Sequence, residues 1–156
     1  MSFKVGIQRY GDISRVTIYS KGRALFKTGD SDCALEHYRK VLTIDQHIAG
    51  DEHPDTATSL ANVADILQAQ GKYDEAEKDI KKALQIRKKI LGNHPDTARS
   101  HSQLGLLYHS KLKYDEALTE HEKALEIALE LLGENHQEVI TFECSETTIF
   151  VECFID

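Results

Sequence analysis

His53-Pro54-Asp55-Thr56-Ala57 recurs unchanged as His94-Pro95-Asp96-Thr97-Ala98. Around it, Lys72-Tyr73-Asp74-Glu75-Ala76 returns as Lys113-Tyr114-Asp115-Glu116-Ala117, and Leu91-Gly92 returns as Leu132-Gly133. All three markers come back after 41 residues, and residues 53–92 laid over 94–133 agree at about 17 of 40 positions. Self-similarity at this period is the mark of a repeat array, in which one unit cannot bury its apolar side alone and its neighbours complete the core.

Within a unit the pattern is helix, break, helix. Pro54 suits the first turn of a helix, where its missing N–H is not needed, and Asp55 favours the positive end of the helix dipole. Leu60, Val63, Ala64 and Leu67 follow at spacings of three and four, which predicts one amphipathic helix. Gln70-Gly71-Lys72 ends it, and Asp74 opens a partner whose buried side is Ala76, Ile80, Ala83, Leu84, Ile86 and Ile90. The next unit repeats the plan with Leu104, Gly105, Leu107 and Tyr108, then Ala117, Ala124, Leu125, Ile127, Ala128 and Leu131. Small residues at matching places, among them Ala64 and Gly105, Ala76 and Ala117, and Ala83 and Ala124, let antiparallel helices approach closely.

An earlier, more divergent copy fits the same grid displaced by 42 residues, with Gly22 for Ala64, Ala34 for Ala76 and Val41 for Ala83. Its first helix is expected from Asp12, with Val16, Ile18, Tyr19, Leu25 and Phe26 as the apolar stripe, ending at Thr28-Gly29-Asp30. Its second helix presents Ala34, Leu35, Tyr38, Val41, Leu42 and Ile44. The expected organisation is therefore a loosely ordered lead-in over 1–11 and repeats over 12–50, 51–92 and 93–133. The start of a partial fourth follows over 134–141, and a non-repeat tail over 142–156. That tail carries the apolar segment Ile149-Phe150-Val151 and reads as the stub of a truncated array.

With 156 residues, 40% of them hydrophobic, the chain can bury a continuous core, and its charged fraction of 29% suits amphipathic helices. A net charge of −7 argues against a nucleic-acid partner, whose protein footprint is basic. No window is apolar enough to span a membrane, and the N-terminus lacks a signal-peptide core. Cys33, Cys144 and Cys153 have no metal-type spacing, so unpaired thiols in the reducing cytoplasm are expected.

The long motif at 53–92 resembles the tetratricopeptide repeat, in the long-repeat form of kinesin light chains. Ordinary members of that family repeat at about 34 residues; the surplus here lies in longer second helices and in the Leu-Gly-x-x-His-Pro linker. The resemblance covers about residues 14 to 140. It implies an all-α solenoid of antiparallel helix pairs, coiled as a right-handed superhelix, with about three repeats plus a partial fourth. It also implies a concave face, lined by first helices, that holds a peptide, as kinesin light chains hold cargo adaptors. Of the paired asparagines typical of that face only Asn62 is present, and no heptad segment of the sort that joins a light chain to its heavy chain occurs. A repeat-bearing relative or fragment is the implied identity.

On that reading the groove residues are Tyr19, Arg23 and Lys27 from the first unit, with Phe26. Asn62, Asp65 and Gln68 come from the second, with Thr58 and Ala61, and Arg99, Gln103 and His109 from the third, with Ser102 and Leu106. Arg23, Lys27, Asn62 and Arg99 make this face more basic than the acidic surface around it, so the expected partner is an extended peptide of acidic and aromatic character. Chaperone cofactors of the same family hold acidic peptide tails with a Lys-Asn-Asn-Lys-Arg set, of which Asn62 alone matches outright. The alternative is a structural scaffold, or a repeat piece that self-associates through uncapped ends.

Catalysis is not expected. His53, His94 and His136 share one linker position and read as architectural. His101 and His121 replace the apolar Leu60 and Ile80 of the unit before, and are expected to face each other as a satisfied core pair rather than to bind metal. Asp74-Glu75 and Asp115-Glu116 suit helix starts, and no phosphate-binding loop, nucleophile elbow or Cys–His arrangement is present. No cofactor is implied.

Overall fold

In a computed structural model of the protein the described residues are 2–132, with side-chain burial defined from 14 to 131. They form six helices: α1 (Ser2–Lys27), α2 (Ser31–Ala49), α3 (Pro54–Ala69), α4 (Tyr73–Leu91), α5 (Pro95–Ser110) and α6 (Tyr114–Leu132). These make three antiparallel pairs, the all-α repeat architecture that the 41-residue period predicts. They fall into two compact units, Met1–Asp79 and the residues from Ile80 onward, with the boundary inside α4. The expected partial fourth repeat, the 142–156 tail, Cys144 and Cys153 lie outside the described residues.

α1 begins at Ser2, ten residues before the expected start at Asp12, so the segment read as a loose lead-in is helical. Gly6 and Gly11 suggested otherwise, but a glycine inside a helix costs only about 1 kcal/mol and does not forbid it.

The repeated punctuation has a physical basis. His53 and His94 cap α3 and α5: each Nδ1 accepts the N–H of the residue two positions on, Asp55 or Asp96, at 3.1 Å. Pro54 and Pro95 follow as the first helical residues. The first helix of every pair ends in the same way. Asp30, Lys72 and Lys113 donate their N–H groups to the carbonyls of Leu25, Leu67 and Tyr108 at 2.9–3.0 Å, closing a left-handed turn that satisfies the last carbonyls. The residue in the left-handed conformation is Gly29 (φ +88°), Gly71 (φ +73°) and then Leu112 (φ +58°). Only the third copy puts a side chain where the backbone favours glycine.

Small residues sit at the closest approaches, as expected: Ala34, Ala64, Ala76, Ala83, Ala117 and Ala124 are fully buried. A Cβ added to Gly22 would lie 3.1 Å from the Cβ of His37 on α2. Four residues assigned to the apolar stripes are instead exposed: Val16, Phe26, Ile90 and Leu131. Each lies at the edge of its stripe, where a period of three and four cannot tell inside from rim.

Polar seams complete the packing between pairs. In the first unit the buried Asp45 carboxylate of α2 accepts a bond from the Ser59 hydroxyl of α3 and pairs with Arg15 of α1 at 3.1 Å. In the second, Arg87 of α4, also buried, donates to the Ser100 hydroxyl at 2.6 Å and to the Asp96 carbonyl at 3.2 Å. Asp45 and Arg87 occupy the same place on the repeat grid, as do Ser59 and Ser100. One seam is thus built on a carboxylate and the next on a guanidinium.

Replacing Leu112 with glycine relieves the left-handed strain and is expected to raise unfolding free energy by about 1 kcal/mol, read from urea denaturation. Gly71→Ala, in the matching turn, is expected to lower it; no change from either substitution would show that the turn conformation carries no strain.

Candidate functional site

The exposed sides of the first helices carry the side chains singled out by sequence. Arg23, Lys27, Asp65 and Arg99 are exposed, while Tyr19, Asn62, Gln68, Gln103 and His109 are half-buried. Ala61, placed among the lining residues by spacing, is buried instead.

In the first unit, Tyr19 and Asn62 line one cavity of about 170 Å3 between α1, α2 and α3, together with Arg15, Val16, Val41, Asp55, Thr58 and Ser59. The Tyr19 ring stands edge-on to Tyr38, centroids 5.3 Å apart. Burial, with Tyr19 beside it, pushes the Tyr38 phenol up to about 12, while Arg23 opposes the shift and Asp65 adds to it. Burial also raises the Asp45 carboxyl above the usual carboxylate range, against the pull of Ser59 and Arg15. Arg15 lies 3.6 Å from Asp55 as well. Arg15, Asp45 and Asp55 were not among the sequence candidates. One signal could have found the first of them: Arg15 stands where the other repeats have Ala57 and Ala98, and an arginine at a close-packing position needs room and a partner.

In the second unit Arg99 is paired with Asp96, one turn earlier, at 3.3 Å, so part of its charge is already met. The His109 ring packs edge-on against Tyr114.

The two core histidines behave differently from the expected pair. His101 is buried, but its Nδ1 bonds to Glu120 at 2.6 Å. Burial works against ionisation of Glu120, yet the bonds from His101 and Lys123 outweigh it and hold the carboxyl down at about 2. His121 is fully buried, and neither ring nitrogen has a hydrogen-bond partner. Its ring fills the space that Gly105 vacates: a Cβ at Gly105 would come within 2.8 Å of the His121 Nε2. Burial, reinforced by nearby His109 and opposed by Glu120, lowers the His121 imidazole below its ordinary value. Among the described residues no three His, Cys, Asp or Glu side chains converge to hold a metal ion.

The profile of the family described as Tetratricopeptide repeat matches residues 14–89 and 59–130. A zebrafish (Danio rerio) protein, tetratricopeptide repeat protein 19, mitochondrial, is 38% identical over 53 residues, which are 34% of this chain and 13% of that protein. The chain thus spans a small part of that relative. Among solved structures, a candidate kinesin light chain with nearly identical TPR-like repeats from Podosopora anserina superposes with a TM-score of 0.78 at 23% identity. That match covers 88% of this chain and 66% of the other. The first TPR of Spaghetti (RPAP3), bound to the HSP90 peptide SRMEEVD, superposes with a TM-score of 0.57 at 20% identity, covering 85% and 92%.

The histidines make stability depend on pH. His121 stays neutral in the fold while an unfolded chain would protonate it near 6.5, so stability is full above that value and falls as pH drops below it. Glu120 adds a second limb, present above 4.5 and lost as pH falls toward about 2. Gly105→Ala with His121→Ile restores the alanine and isoleucine of the preceding repeat. That double variant is expected to flatten the decline in melting temperature between pH 7 and 5; an unchanged slope would remove His121 as its source.

Proposed function

Because the chain belongs to the tetratricopeptide-repeat family, we propose that it is an interaction module holding an extended peptide against the exposed sides of α1, α3 and α5. The family consists of non-catalytic protein-interaction scaffolds, which accords with a chain whose recurring histidines and acids serve as caps and seams. One observation carries the reading: the side of α1 and α3 that bears Tyr19 and Asn62 opens into a cavity instead of being filled by packing.

The long repeat period and the Leu-Gly-x-x-His-Pro linker favour the kinesin light chain type, with repeats over 12–50, 51–92 and 93–133, acting as an adaptor in the cytoplasm. No helix among the described residues is long and apolar enough to cross a membrane. Arg23, Lys27 and Arg99 give the face cations that suit acidic residues in the partner. The acidic peptide SRMEEVD on a protein of the same fold supports that chemistry. A scaffold that self-associates without using this face is the second reading, favoured by exposed Leu129 and Leu131 late in α6.

Charge reversal distinguishes the two. Arg23→Glu with Arg99→Glu is expected to lose most partners recovered by the unaltered chain while leaving its solution mass unchanged. A pull-down indifferent to both substitutions would sink the groove reading.

A further inference from the structure

The third helix pair holds a polar group that neither the fold nor the groove uses. His121 of α6 is fully buried, and neither of its ring nitrogens has a hydrogen-bond partner. A neutral imidazole has one N–H to donate and one lone pair to fill, so both go unmet, which costs free energy. The ring points at the backbone of α5: its Nε2, Cδ2 and Cε1 lie 2.8–2.9 Å from where a Gly105 Cβ would stand. A glycine inside a helix is itself unfavourable relative to alanine. Two unfavourable choices thus meet at one contact.

The repeat grid isolates what that contact adds. Gly105 and His121 stand where the second repeat has Ala64 and Ile80, and where the first has Gly22 and Tyr38. In the first pair the Tyr38 ring likewise lies over its glycine, 3.3 Å from the place of an added Cβ. The Tyr38 phenol, pushed up to about 12, keeps its proton throughout the physiological range, and Ile80 has none to exchange. Of the three, only the imidazole takes up a proton near neutrality.

A proton on the buried ring has nothing to meet. On its own helix the neighbouring carboxylate is Glu120, already held by His101 of α5 at 2.6 Å and by Lys123 at 2.7 Å. His109, also of α5, opposes a positive charge beside it. From α4, Lys81 stands over the Tyr108 ring at 5.7 Å, and Lys113 before α6 stands over the same ring at 5.9 Å; neither can accept an N–H. An imidazolium has two N–H donors, and burying that charge unpaired is far less favourable than exposing it. The ring can therefore be charged only where it reaches water, which requires α5 and α6 to part at Gly105.

We propose that the α5–α6 pair is an acid-sensitive latch: protonation of His121 breaks its contact with Gly105 and lets α5 carry Arg99, Gln103 and His109 off a bound peptide. The peptide rests on the reading of the preceding section, whereas the latch itself does not. Because only the opened ring takes up a proton, near 6.5, the open population rises up to about 25-fold between pH 7 and pH 5. Helices α1 and α2 belong to the other compact unit and serve as the internal control.

Amide hydrogen exchange of the full chain at pH 7 and pH 5, corrected for intrinsic rates, reads the latch without a partner. Amides around Gly105 and His121 are expected to lose protection at least tenfold on acidification, and those of α2 less than twofold. Gly105→Ala with His121→Ile is expected to abolish the loss. His109→Gln, which installs the residue that the second repeat has at Gln68, is expected to leave it in place. An unchanged protection, an equal loss in α2, or a loss that survives the double variant overturns the proposal. Partners captured at pH 7 are expected to elute at pH 5 from the unaltered chain and to stay on the double variant. Retention by both, or elution from both, removes the latch's control of binding and keeps the groove. A latch that opens in a chain whose partners ignore charge reversal at Arg23 and Arg99 has the opposite meaning.

Discussion

Close approach of helix backbones is the constraint on which the fold depends. It is met by removing side chain: Gly22, Ala64 and Gly105 share one grid position, and Ala34, Ala76 and Ala117 share another. Packed interiors tolerate neither voids nor overlap, so what one residue gives up its neighbour must fill. The third repeat shows this directly. Gly105 goes one step below alanine, and the longer, flatter and more polar His121 replaces the isoleucine of the previous copy. The ring reaches into the space beside Gly105 and introduces an imidazole with no hydrogen-bond partner.

The seams between pairs follow a second rule, that buried charge must be paired. Ser59 and Ser100 are constant, while their partner changes from Asp45 to Arg87. Each solution needs its own surroundings: Asp45 has Arg15 beside it, and Arg87 has the Asp96 carbonyl and carboxylate nearby. Exchanging one member alone would strand a buried charge, a change that typically costs about 3–5 kcal/mol. The seams therefore make neighbouring copies of a repeat non-interchangeable although their apolar positions look alike. Arg15, which pairs with Asp45, also lines the cavity beside Tyr19 and Asn62.

Much of the fold was legible in the chain because its signals are local. A capping histidine, a proline in the first turn and a glycine after the last each act within a few residues, and the period multiplies the evidence. Legibility failed at stripe edges, where Val16, Phe26, Ile90 and Leu131 satisfy the helical spacing but face solvent. It failed also for Leu112, which takes a glycine's backbone conformation because the turn's hydrogen bonds demand it. The site was less legible than the fold. Spacing singles out Tyr19 and Asn62, but not that they share a cavity with Arg15, Val41 and Asp55, because no periodicity within one helix reports on residues of another.

The sequence by itself determined the repeat, its period, the order of six helices and the centres of their buried faces, because these arise from hydrogen bonds and side-chain spacing along the chain. Tertiary structure alone decided which polar groups meet. It gave His101 to Glu120 rather than to His121, and set Asp45 against Ser59 in one seam and Arg87 against Ser100 in the next. It also left a space beside Tyr19 that a longer side chain could have closed. Those outcomes depend on distances of a few tenths of an ångström between helices, and only the packed chain sets them.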